Sequence, residues 1–115
     1  SPLEYACHVR DVCRRFDARL RLLLVLDGPE FENWDQDAAA VQDGYAEQDP
    51  ARVALELAEA AERLAAAIED VPETAWERPG TRSDGAPFTV GTLTRYLAHD
   101  VVHHAHDVTR RRGER

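Results

Sequence analysis

The chain has 115 residues, 43% apolar and 31% charged, with 22 acids against 14 bases and a net charge of −8. This describes one thin folded domain, residues 1–115, and not a disordered chain, and its acidity argues against a nucleic-acid partner. No apolar run reaches the roughly 18–20 residues of a membrane span, and no signal peptide opens the chain, so a cytoplasmic location is expected.

Ser1-Pro2 with Glu4 is a helix start: a hydroxyl cap, proline at the first helical position and an acid in the first turn. Tyr5, Val9, Val12, Cys13, Phe16, Leu20 and Leu23 then recur at helical spacing until Asp27-Gly28-Pro29 ends the helix. Residues 30–49 are acidic and irregular, with a short helical turn at Asp37 to Gln42 and Trp34 and Tyr45 as anchors. A loop of that length points to a lid or binding loop. Asp49-Pro50 starts a second long helix through Val53, Leu57, Ala60, Leu64 and Ile68, which Val71-Pro72 closes.

Ser83-Asp84-Gly85 is a turn signal for a small hairpin. Thr89 caps a third long helix through Leu93, Leu97, Val101, Ala105 and Val108 to the terminal arginines. The pattern predicts an all-α, up-and-down antiparallel helical bundle with three long helices. Connections of this length leave room for a fourth. The chain has no Met, so it is expected to be a trimmed product or a fragment. All its bases are Arg, as a GC-biased genome would produce.

Four of the five histidines fall between positions 99 and 106. His99 and His103 stand four apart, a spacing that lets two imidazoles on one helical face hold one Zn, Ni or Fe ion. Asp100 and His104 form a second such pair, and His8 on the first helix is the remaining histidine. Against the apolar stripe Leu93, Leu97, Val101 and Val108, the wheel favours Asp100 and His104 as the inward pair. Three protein ligands with an open position is the catalytic pattern. A solvated polar face is the plain alternative.

These segments carry a resemblance. Ser-Pro-Leu-Glu-Tyr-Ala-Cys-His8-Val-Arg-Asp11-Val looks like the second helix of DinB-like (DinB/YfiT) proteins, and Tyr-Leu-Ala-His99-Asp100-Val-Val-His103-His104 resembles that superfamily's last-helix motif. The resemblance covers the whole chain in order, with specificity concentrated in the two histidine motifs. It implies a four-helix bundle whose first helix precedes Ser1 and is missing here. It further implies His8, His99 and His103 as ligands of a divalent metal, with Asp100 and His104 as the alternative register. Related members are thiol-dependent transferases or isomerases. The implied activity is therefore metal-dependent attack by a low-molecular-weight thiol (mycothiol-type) or hydroxide on a small-molecule electrophile.

Other residues have plainer roles. Cys7 and Cys13 are placed as small buried groups that cannot bridge to each other. Asp11 and Asp107 are candidates to orient imidazoles, Trp34, Trp76 and Tyr96 to line a pocket, and Arg95 to bind a carboxylate. No serine stands on a nucleophile elbow, and His99-Asp100-x-x-His103 lacks the glutamate of a zincin peptidase. The rival function is a non-enzymatic interaction module with a surface histidine cluster, forming a homodimer over the face that a missing helix would leave bare.

Overall fold

The computed structural model describes residues 1–98. His99, Asp100, His103, His104 and Asp107 lie outside them. Helix α1 spans Pro2–Val25, and the Ser1 Oγ accepts from the Glu4 N–H at 3.2 Å as the predicted cap. Helix α2 is the short turn Gln36–Gln42, capped by Asp35, and α3 spans Pro50–Glu69, capped by Asp49. Helix α4 begins at Val90 and is helical over 90–98. Its start is a reciprocal box: Thr89 Oγ1 accepts from Thr92 N at 3.1 Å, and Thr92 Oγ1 accepts from Thr89 N at 2.8 Å.

The order of contacts along α1 reveals how the helices run. Cys7 packs with Val53, Val12 and Cys13 with Ala60 and Leu64, and Leu20 with Val71. Position numbers rise together, so α1 and α3 lie side by side in the same direction. Val90 packs with Leu20 and Leu23, whereas Leu97 packs with Val12 and Cys13, so α4 alone runs antiparallel to the pair. The helical bundle is as expected from the sequence; the strictly up-and-down order is not. The reason is the connection between α1 and α3. It returns the length of α1, from Phe31 beside Leu20 to Tyr45 beside Cys7, before α3 starts.

A small sheet closes one end of the bundle. Its strands are β1 (Glu30–Phe31), β2 (Pro79–Arg82) and β3 (Pro87–Thr89), in the order β1-β2-β3. β1 pairs parallel with β2 through Glu30 and Thr81, and β2 pairs antiparallel with β3 through Gly80 and Phe88. The predicted hairpin turn is present, with Gly85 N–H bonded to the Arg82 carbonyl at 2.8 Å. Gly80 is where sheet meets helix. A Cβ there would stand 2.7 Å from Leu23 Cδ2 and 3.1 Å from the Pro29 carbonyl oxygen, so any side chain would force its neighbours to shift.

α1 has no basic residue in its last turn. Arg78 arrives from the β2 approach instead, donating from Nε to the Leu23 carbonyl at 2.7 Å and from Nη2 to the Leu26 carbonyl at 3.0 Å. A guanidinium thus satisfies carbonyls that the helix leaves open and opposes the negative end of its dipole. No helix among the described residues is long and apolar enough to cross a membrane.

Candidate functional site

His8 sits half-buried on α1 and faces a cleft of about 830 Å³. The cleft lies between α1, the returning segment, the β2–β3 hairpin and the start of α4. The Trp34 indole lies against two α1 side chains. Its ring is 7° from parallel to His8 with centroids 6.0 Å apart, and the Arg15 guanidinium carbon is 4.9 Å from its centre. His8 and Arg15 are seven residues apart, two turns on one helical face, and the returning segment lays Trp34 across that face. Arg19 continues the face and stacks on Phe31 at 5.3 Å. Phe16 stacks on Tyr96 of α4, with centroids 6.2 Å apart.

Thr92, Leu93 and Tyr96 are the α4 residues on the cleft wall. The cleft therefore joins His8 to the start of α4. Among the described residues no group of three or more His, Cys, Asp or Glu is placed to hold a metal.

A second polar cluster lies near His8 in sequence but packs against α3. Arg10, only 4% exposed, donates to Asp11 Oδ1 at 2.9 Å, Gln48 Oε1 at 2.7 Å and Glu56 Oε1 at 3.1 Å. The Tyr45 hydroxyl donates to the other Asp11 oxygen, Oδ2. Burial, together with the hydrogen bond to Asp11 and its charge, pushes the Tyr45 phenol well above its ordinary range. Burial would lower Arg10, but the Asp11 hydrogen bond and the Asp11 and Glu56 charges outweigh it and hold the guanidinium above its usual value. The Asp11 carboxylate thus ties the returning segment to α1 through Tyr45, while Arg10 ties α3 to it through Glu56.

The sequence candidates separate accordingly. Trp34 and Tyr96 line the cleft, while Trp76 packs against the apolar core. Cys7 and Cys13 are buried and unbridged, and burial raises both thiols. Arg95 is exposed. The cleft arginines Arg15, Arg19 and Arg82 escaped the sequence reading. The spacing of His8, Arg15 and Arg19 on one helical face was the available signal for two of them; Arg82 had none.

A family profile described as the DinB superfamily matches residues 1–108. Among solved structures, YfiT from Bacillus subtilis is similar with a TM-score of 0.74 at 20% identity. The match covers 96% of this chain and 65% of YfiT. That protein is described as a probable metal-dependent hydrolase with an unusual four-helix bundle topology. No curated protein matches the chain significantly.

Proposed function

Because the chain belongs to the DinB superfamily, we propose that it binds a divalent metal beside the cleft and acts there on a small electrophile. His8, His99 and His103 would hold the ion, of the Zn, Ni or Fe type that imidazole suits. The carrying observation is that His8, a nitrogen donor fixed against Trp34, shares its cleft with α4. The description of YfiT as a probable metal-dependent hydrolase points the same way.

The superfamily's last-helix motif favours His99 and His103 on this helix, with Asp100 and His104 as the alternative register. Thr92 and Tyr96 line the cleft, whereas Val90 and Leu97 are buried in the core.

The bound ion would supply Lewis acidity, making a water or thiol nucleophilic near neutral pH. Trp34 sets the plane of the His8 ring and so the direction of its donor nitrogen. Phe16, Phe88 and Leu93 give the cleft an apolar floor that displaces water from a bound substrate. A thiol co-substrate makes the reaction a transfer or isomerisation, and water makes it a hydrolysis.

The test is elemental analysis of purified and reconstituted protein. Stoichiometric Zn, Ni or Fe, lost in His8→Ala and in His103→Ala and retained in His104→Ala, is the expected result. Protein that holds no metal after reconstitution overturns the proposal, leaving a non-enzymatic bundle that pairs with a partner or with itself.

A further inference from the structure

The electrostatics of the cleft run against those of the whole molecule. The chain carries −8, yet Arg15, Arg19 and Arg82 all line this one cleft, against the single acid Glu32. Elsewhere among the described residues Arg10, Arg14, Arg21, Arg52 and Arg78 each lie within 4.0 Å of a carboxylate, while Arg63 on α3 and the exposed Arg95 do not. Arg82 has Asp84 at 3.3 Å. Among the described residues Arg15 and Arg19 also have no carboxylate within that distance, and unlike Arg63 and Arg95 they face one shared cleft. Arg19 donates to a backbone carbonyl, that of Glu32, at 2.8 Å.

Both guanidiniums are nevertheless held in place. Arg15 rests on Trp34 and Arg19 on Phe31. Stacking occupies the face of a guanidinium and leaves most of its in-plane N–H donors available. Two donor edges one helical turn apart, fixed by aromatic rings, suit a planar oxyanion that can accept from both. Burial, followed by the repulsion of Arg15 and Arg82, lowers Arg19 from its usual value. An anion between these groups would relieve that repulsion. The rest of the wall is apolar, with Phe16, Phe88 and Leu93 beside the cations. At about 830 Å³ the cleft has room for a small organic molecule.

We propose that the cleft selects an amphipathic organic carboxylate, its head held by Arg15 and Arg19 with Arg82 adding charge, and its body on Phe16, Phe88 and Leu93. This rests on the cleft being the substrate site and names the substrate's class. It does not depend on which ion His8 binds.

The experiment titrates metal-stripped full chain with 4-phenylbutyrate and with its uncharged amide, read by calorimetry and Trp fluorescence. The acid is expected to bind at least about tenfold more tightly than the amide, the worth of a charge-assisted hydrogen bond. Arg15→Gln and Arg19→Gln are each expected to bring the acid down to the level of the amide and leave the amide unchanged. Arg15 is exposed, so its variant should melt as the parent does, and Arg95→Gln should bind as the parent does. Equal binding of acid and amide, no binding of either, or full acid affinity in both cleft variants overturns the proposal. Metal content is measured on separate reconstituted samples. Protein without metal that still prefers the acid refutes only the metal reading, and protein with metal that does not prefer it refutes only this one.

Discussion

The His8 imidazole lies 7° from parallel to the Trp34 indole, with ring centroids 6.0 Å apart. One residue comes from α1 and the other from the segment that returns along it, so the contact fastens that segment to α1 and orients the proposed ligand. Trp34→Ala is expected to cost about 2 kcal/mol, below a fully buried aromatic truncation because the ring is half-exposed. It should also weaken metal retention by about tenfold, as loss of a ligand-orienting partner does. Trp34→Phe should recover most of both. Thermal melts and metal competition titrations check this, and full metal affinity in Trp34→Ala would count against an orienting role.

The Arg10 cluster should behave as a unit. Removing Arg10 leaves Asp11 and Glu56 without their buried partner, so Arg10→Ala is expected to cost about 3 kcal/mol or more. Tyr45→Phe removes one hydrogen bond to an Asp11 that keeps Arg10, at about 1–2 kcal/mol. Because the two share one carboxylate, the double variant should deviate from additivity by about 0.5 kcal/mol or more. Urea denaturation of the four proteins measures it.

Gly80→Ala should be destabilising by about 1–3 kcal/mol, since the new methyl meets Leu23, Phe88 and the Pro29 carbonyl at once. Arg78→Ala should cost about 1 kcal/mol by uncovering the carbonyls at the end of α1. Amide exchange should rise at residues 22–26 in Arg78→Ala. Unchanged exchange there would deny Arg78 its capping role.

Stability should fall on the alkaline side. Cys7, Cys13 and Tyr45 all have raised native pKa values, with burial the leading cause in each. The folded chain therefore keeps protons that the unfolded chain releases. Their stabilising contribution is complete below the ordinary thiol pKa of about 8.5 and declines as pH rises above it, with the phenol adding its share beyond about 10. Urea midpoints between pH 7 and 10.5 should drop steadily above that first threshold. Replacing both cysteines by alanine should remove the earlier part of the drop. The same burial should make both thiols react slowly with a disulfide reagent at pH 8 in native protein and rapidly in urea.

The sequence by itself determined the helices, because their signals are local. Ser1, Asp49 and Thr89 cap α1, α3 and α4 as their side-chain chemistry dictates, and the apolar spacing from Cys7 to Leu23 marks the face that is buried. The histidine spacing and the family motif likewise brought His8, His99 and His103 forward as ligands, a register still to be tested outside the described residues. Helix direction was not legible, because a long connection can join parallel or antiparallel neighbours equally well. Only the packed chain decides between them, by pairing Cys7 with Val53 and Leu20 with Val71. The cleft belongs to the same category. Trp34 is far from His8 in sequence and Arg82 farther still from Arg19, and no local pattern encodes their meeting. It follows from the return of the loop along α1 and from the hairpin folding onto the end of the helix.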